Sequence, residues 1–439
     1  MFKSLLNAFH IKDMRSKLLF TFFMIVLVRL GSQIPVPGID ITYFKEWFAQ
    51  NKNDAFNLIS AFTGGSFERF SIFGLGITPY ITASIILQLL TIAIPALEEL
   101  QKDGQYGKKK MEWVTRWTAI GLAVFESLAM AIGFGRSGLL PNMGILRGII
   151  IVVCFTCGTA LLIFFGFLID KKGIGNGISI ILMVNILAEL PKDFTTLYTM
   201  LIANKTIAKG ILMAVIILAV VIGTVVLVVL LNEAERRVPI QYAKKITGNN
   251  KMVGAQKSFL PIKVNIASVI PIIFASSIFS IPQIVATILG RGNGSGFSKF
   301  VLGCLNQANW FDIHNLQYTL GLVLYLALVF FFAFFYTSIS FNPVEIADDL
   351  KKQGGIIPGI RQGKPTVDYL TTIINRVVVI GATGLIVVVM IPLFFSSISH
   401  VSISFGGTSI IIVVGVILET LEQIESGMQV HNYRGFLAA

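Results

Sequence analysis

Residues 56 to 90, FNLISAFTGGSFERFSIFGLGITPYITASIILQLL, begin as a half-hydrophobic segment, break at Gly64-Gly65, carry Glu68 and Arg69, and only then run on as a long apolar helix. Backbone exposed to lipid cannot do that. A freed N–H or C=O in hydrocarbon has no partner, so irregular backbone and charge at membrane depth are stable only inside protein or beside a water-filled cavity. The segment therefore marks a pathway through the molecule.

That pathway lies in a polytopic membrane protein. Of 439 residues, 54% are hydrophobic and 13% charged, whereas a soluble globular chain carries about 25% charged residues. The net charge of +12 has to gather in loops, where it meets anionic lipid, acidic protein or nucleic acid. Cys154 and Cys157 form a C-x-x-C in the middle of an apolar span, with no second pair at zinc spacing, and read as buried thiols. Lys3, Lys12, Arg15 and Lys17 precede the apolar run Leu18 to Val28, but no small-x-small cleavage site follows. The run reads as a retained first helix, with Arg29 near its far end expected to snorkel toward the interface.

A window of about 19 residues finds roughly ten candidate spans. They lie near 18 to 34, 71 to 94, 113 to 135, 147 to 169, 176 to 190, 210 to 231, 264 to 289, 318 to 341, 373 to 395 and 405 to 425. The N-terminus, the 95 to 116 loop, Lys171-Lys172, the 232 to 263 loop, the 342 to 376 loop and the tail hold about two dozen Lys and Arg, against about ten in the alternate gaps. Those loops and both termini are expected to face the cytoplasm. Ten spans divide at the 191 to 209 segment, an external hinge loop, into an N-terminal half (1 to 190) and a C-terminal half (210 to 425), followed by a cytosolic tail (426 to 439). Two halves of five spans insert in opposite orientations, as an inverted repeat does, and place a functional pathway at their interface.

Thr78, Thr82, Ser84, Gln88 and Thr91 interleave with aliphatic residues in the second span, and Asn265, Ser268, Ser276, Ser277, Ser280 and Gln283 do so in the seventh. Each one alone would bond its own helix or a neighbour; two whole helices of this kind read as a wettable seam. The span interiors offer Glu126, with Arg29 and Glu419 near the ends, which is a poor set for the carboxylate relay of a coupled transporter. GIGNGIS lacks the Lys-Ser/Thr of a phosphate loop, and the four histidines are scattered. No cofactor, metal or catalytic constellation is expected, and any ATPase or GTPase driving the pathway has to be another protein.

GGSFERFSIFGLGITPYITASIILQLL, GIGNGISIIL, ERRVPIQYAKK, FLPIKVNIASVIPIIFASSI, FNPVEIADDLKKQGGIIPGIR and FGGTSIIIVVGVILE closely resemble, in order, the signature blocks of the SecY family, the channel subunit of the general protein-secretion translocon. The resemblance runs from about residue 18 to the end of the last span, and Gln362 departs from it, standing where Pro is usual. It implies an all-α protein of ten transmembrane helices in two inverted five-helix halves around an hourglass pore. A ring of Ile77, Ile81, Ile178, Leu182, Ile273 and Ile412 would pinch that pore. A short plug helix at about 55 to 67, with Leu58, Ile59, Phe62, Gly64 and Gly65, would close it from outside.

The same resemblance makes Thr82, Gln88, Ser276, Ser277 and Ile281 a lateral gate. It places Arg236, Arg237, Lys244, Lys245, Lys351, Lys352 and Arg361 on a surface that docks the ribosome, through RNA phosphates, and the SecA motor. SecE and SecG would be companion subunits, unfolded polypeptides and signal sequences the cargo, anionic lipids the surroundings, and the bacterial inner membrane the location. A secondary transporter of a small solute is the alternative, and an intramembrane enzyme a more distant one.

Overall fold

The structure is a computed structural model and describes residues 9–37, 39, 44, 60–136, 144–199, 207–242, 246–247, 251–252, 257–288, 297–311, 316–399 and 407–437. It is mostly helical. The helices are α1 (Lys12–Gly31), α2 (Thr78–Ala93), α3 (Pro95–Lys102), α4 (Gly104–Arg136), α5 (Ile145–Lys172), α6 (Gly177–Leu197) and α7 (Ile207–Glu233), then α8 (Ile270–Ile288), α9 (Phe297–Leu305), α10 (Thr319–Ser340), α11 (Pro343–Lys352), α12 (Lys364–Ser399) and α13 (Gly407–Leu437). Among the described residues, five helices are each long and apolar enough to cross a membrane: those within Tyr106–Gly135, Ile145–Lys172, Lys209–Glu233, Thr319–Lys352 and Lys364–Phe395.

Local sequence explains where the helices break. The expected second span becomes helical only at Thr78, with Pro79 in its first turn, and residues 64–77 form successive turns instead. At the other end Pro95 forces Ile94 into extended backbone (φ −116°, ψ 106°). As a result, α3 turns away from α2 by 108°. Between α5 and α6 the chain reverses within a few residues. The Gly177 amide donates to Asp170 at 2.7 Å, and Asn176 caps α6 by accepting from the Ser179 amide at 3.2 Å. A Cβ on Gly177 would stand 2.1 Å from the Gly166 carbonyl oxygen, so only glycine lets the two helices approach this closely.

Two expected loops are more ordered than the sequence suggests. In the 191 to 209 segment, α6 continues through Pro191 to Leu197, with Asp193 and Leu197 buried, and α7 begins at Ile207. The 342 to 376 segment contains α11, which Asn342 caps by accepting from the Val344 amide at 3.1 Å, and α12 starts at Lys364.

The expected all-α class holds for the bulk of the chain, and the long basic loops add short strands to it. Strands β1 (Glu235–Tyr242), β2 (Ile246–Thr247), β3 (Lys251–Met252), β4 (Lys257–Lys263) and β5 (Gly355–Ile356) form a three-stranded sheet in the order β4-β1-β5 and a two-stranded one from β2 and β3. Buried Val238 and Ile240 alternate with exposed Arg237 and Pro239 along β1, which is the two-residue period of a half-buried strand.

Helices α1, α2, α4, α5 and α6 pack in one group and α7, α8, α10, α12 and α13 in another. The groups meet where α13 lies against α6 and α1, and where α8 lies against α4.

Candidate functional site

The six aliphatic residues assigned to a ring fall in one cluster, although they come from four helices and a turn. Ile77, Leu182, Ile273 and Ile412 are core members, and Ile81 and Ile178 pack against them. Ile77 and Ile412 are each 1% exposed. Ile77 closes the turns before α2, Ile81 follows one turn later, Ile178 and Leu182 lie a turn apart on α6, Ile273 opens α8, and Ile412 sits in the first turns of α13. Phe62 belongs to the same cluster. Both helix groups therefore contribute to one largely aliphatic cluster.

Of the residues expected in the plug, Leu58 and Ile59 lie outside the described residues; Ser60 to Thr63 form a helical turn, and Gly64 and Gly65 follow it with φ of 64° and 75°. Such left-handed backbone suits glycine. The chain then leaves through buried Phe67 and Phe70, whose rings pack with Phe44, Phe134 and Phe155 in a second cluster. The Phe44 and Phe70 centroids are 4.9 Å apart and those of Phe70 and Phe155 5.0 Å. Residues 70 to 72 also pair with the strand-like segment after α1: the Val36 amide donates to Phe70 and the Ile72 amide to Ile34, each at 2.9 Å.

Around the Gly64-Gly65 turn the sequence reading missed several polar residues and misplaced one. Arg29 does not run out to the interface. Its Nη1 donates inward to the Gly64 carbonyl at 3.4 Å, because the carbonyl left free by the glycine turn offers a nearer partner than solvent. Asn185, 2% exposed, donates to the Phe62 carbonyl at 3.1 Å. Lys192 pairs with Glu68 and stands 3.8 Å from Glu189. An amide and a carboxylate inside the apolar run ILMVNILAEL were the signal for these contacts.

The seam expected between α2 and α8 has a different chemistry from the one its hydroxyls suggest. Thr82 donates to the Thr78 carbonyl of its own helix at 3.1 Å, and Gln88 donates to Ser84 at 3.3 Å. Ser276 is 1% exposed and meets the Tyr325 hydroxyl of α10 at 3.1 Å, inside its own helix group. Ser277 is half-buried and Ile281 exposed. The cluster that spans α2 and α8 is apolar, built on Ile85, Ile272, Phe274 and Phe279, with Ile81 against it. Gln88 Oε1 is buried with no hydrogen-bond partner among the described residues, so this edge of the seam holds one unused acceptor.

At the strand-bearing end, the two basic segments share one scaffold. β1 pairs with β4 along its length and with β5 through Gln241↔Ile356 and Tyr242↔Gly355. Val238, Ile262 and Ile357 bury this sheet against Leu370 and Val377 of α12. Arg236 and Arg237 are exposed on β1, Arg237 beside Glu235 at 2.6 Å, and Lys351 and Lys352 are exposed at the end of α11. Arg361 is exposed on the turn after β5, which Gln362 braces by donating to the Gly355 carbonyl at 3.1 Å. Lys244 and Lys245 lie outside the described residues. Among the described residues, no group of three or more His, Cys, Asp or Glu could hold a metal ion.

Comparison with known proteins shows the family and the fold. The sequence profile of the SecY family matches residues 71–421. "Protein translocase subunit SecY" of Streptomyces galbus is 41% identical over 445 residues, covering 98% of each chain, and that of Halalkalibacterium halodurans is 39% identical over 450 residues, covering 100% of each. Among solved structures, one described as "The structure of a protein conducting channel" matches with a TM-score of 0.64 at 19% identity, covering 94% of this chain and 92% of that one. "Sec61 in the Canine ribosome-channel complex from the endoplasmic reticulum" matches with a TM-score of 0.61 at 18% identity, covering 94% and 92%. At those identities the likeness is one of fold.

Proposed function

The chain belongs to the SecY family of protein translocase channels, and we propose that it passes unfolded polypeptides through the aliphatic constriction between its two helix groups. It is a multi-pass membrane protein and a subunit of the translocase, which supports a protein channel rather than a small-solute carrier. The observation that carries the assignment of the pore is the single cluster holding Ile77, Ile81, Ile178, Leu182, Ile273, Ile412 and Phe62. Aliphatic side chains have no directional bonds to break, so they can part around a moving chain and close behind it, and an apolar neck dewets when empty.

In this reading the ten spans form two inverted halves, 1 to 190 and 210 to 425, in the bacterial inner membrane with both termini in the cytoplasm. The plug around Phe62, Gly64 and Gly65 closes the resting pore. Signal sequences and membrane segments leave sideways between α2 and α8. The closed seam is apolar, and Thr82, Gln88, Ser276, Ser277 and Ile281 become its wetted or lipid-facing edges on opening. The chain performs no chemistry. A motor ATPase of the SecA type or a ribosome supplies the drive through the sheet that carries Arg236, Arg237, Lys351, Lys352 and Arg361, while SecE and SecG complete the complex and anionic lipids meet the basic loops. Support for a ribosome comes from the fold's likeness to a ribosome-bound channel.

The seal is tested in planar bilayers. Deleting residues 57–67, or replacing Ile81 and Ile412 with Gly, raises the resting ion conductance; unchanged conductance in both variants removes the assignment of ring and plug. The docking surface is tested separately by Arg361→Glu. One reversed charge barely alters the summed bias that sets orientation, whereas losing a charged contact across a buried interface costs about 2–5 kcal/mol. ATP-driven import into vesicles with equal channel content therefore falls steeply, and import at the wild-type rate would return Arg361 to a purely topological role.

A further inference from the structure

The two ends of the plug contact differ in kind. Phe62 enters the aliphatic cluster with its side chain, but among the described residues the polar side chains that hold the backbone from Phe62 to Gly64 come from α1 and α6. Asn185 Nδ2 donates to the Phe62 carbonyl at 3.1 Å, Arg29 Nη1 donates to the Gly64 carbonyl at 3.4 Å, and the same Nη1 lies 3.5 Å from Asn185 Oδ1, so one amide joins both contacts. These carbonyls end a helical turn, where no intrahelical donor remains and a cation is favoured. The fit is close on both glycines: a Cβ on Gly64 would stand 2.5 Å from Arg29 Nη1 and 3.0 Å from the Asn185 backbone, and one on Gly65 would stand 2.2 Å from Glu189 Oε1. Beyond the glycines, Glu68 pairs with Lys192 of α6, and Arg69 bonds Gln33 just past α1.

We propose that Arg29 and Asn185 are positioning residues that form a polar latch on the plug, with the Glu68–Lys192 pair behind them, and that this latch belongs wholly to the N-terminal half. The constriction takes side chains from both halves, so moving the halves apart dissolves the aliphatic seal. The same movement leaves the latch intact, because α1, α6 and the plug travel together. Opening is then a two-step event. The halves part first, and the plug leaves only when the Phe62 and Gly64 carbonyls are released. A polypeptide entering the neck can do that by competing for the Asn185 amide and the Arg29 guanidinium with its own carbonyls, the same chemical group that the plug presents.

This inference rests on the reading of residues 57–67 as a seal, and its test separates the two. Asn185→Leu keeps the branched side-chain skeleton and removes both amide contacts; Arg29→Met removes the guanidinium, and Arg29→Lys keeps its charge. Each is compared with wild type and with the 57–67 deletion for resting conductance in planar bilayers and for ATP-driven translocation at equal channel content. The expected result is a rise of about tenfold in resting conductance for Asn185→Leu and Arg29→Met, the shift in an equilibrium that follows from losing one hydrogen bond to a charged group. Arg29→Lys gives a smaller rise, and translocation is retained in all three. Wild-type conductance in Asn185→Leu and Arg29→Met beside a leaky deletion overturns the latch and leaves the seal standing. A deletion that does not leak overturns the seal itself. Raised conductance accompanied by loss of translocation would point to general loosening, and also overturns the latch.

Discussion

The aliphatic cluster proposed as the constriction and the aromatic cluster around Phe70 are both buried and apolar, yet they are built from different side chains and different parts of the chain. The constriction is mainly aliphatic and draws on both helix groups. The second cluster is centred on Phe44, Phe67, Phe70, Phe134 and Phe155, all in the N-terminal group. Aromatic rings meet edge to face at defined angles, as Phe44 and Phe134 do at 82°, and so hold a fixed geometry; branched aliphatic chains pack in many arrangements of similar energy. The difference teaches that contacts across the group boundary are less directional than those within the N-terminal group. Under the proposed function, the seal uses non-directional contacts across the boundary between the two helix groups, while the segment that follows Gly64 and Gly65 is moored by directional ones within one group.

The largest expected effect tests the mooring. Phe155→Ala empties a fully buried site beside Phe70, a change that costs about 3–5 kcal/mol in a packed core. The purified channel should melt at a clearly lower temperature, and a melting point equal to that of wild type would mean the aromatic cluster carries no structural weight. Ile412→Val sharpens the contrast from the other side. It removes one methylene from the constriction at about 0.5–1.5 kcal/mol, and the neck reseats around it, so melting shifts little and the channel stays electrically tight; a leak comparable to that of the Gly variants would show the constriction to be as geometrically exacting as the aromatic cluster. The smallest effect is reserved for an exposed polar tie. Lys263 of β4 pairs with Glu422 of α13 at 2.5 Å, both side chains being about half exposed, and Lys263→Ala should cost about 0.2–1 kcal/mol, visible as a slight fall in melting temperature that disappears at high salt.

Much of the helical framework was legible in the sequence, because an apolar run long enough to span hydrocarbon can satisfy its backbone only as a helix, whatever its neighbours do. The break at Gly64-Gly65 was legible for a similar reason, since two adjacent glycines followed by Glu68 and Arg69 cannot continue a lipid-facing helix. The alternation along β1 was present in ERRVPIQY, but a strand needs partners, and those came from β4 and, more than a hundred residues on, from β5. No local pattern announced that the two basic loops were one sheet.

Side-chain direction was the least legible property. Thr82, Gln88 and Ser276 look identical in sequence whether they face a seam or their own helix, and the nearest satisfied partner decides, which for Thr82 is a carbonyl one turn back and for Ser276 a tyrosine on α10. Arg29 is the sharpest case. By itself the sequence determined that this chain crosses a membrane repeatedly, breaks at one glycine pair and carries the motif series of a protein translocase channel, because those properties follow from runs and spacings along one strand of chain. Only the tertiary structure decided that Arg29 of α1 and Asn185 of α6 converge on the carbonyls of Gly64 and Phe62, because a hydrogen bond between residues so far apart in sequence exists only once packing has brought their backbones together.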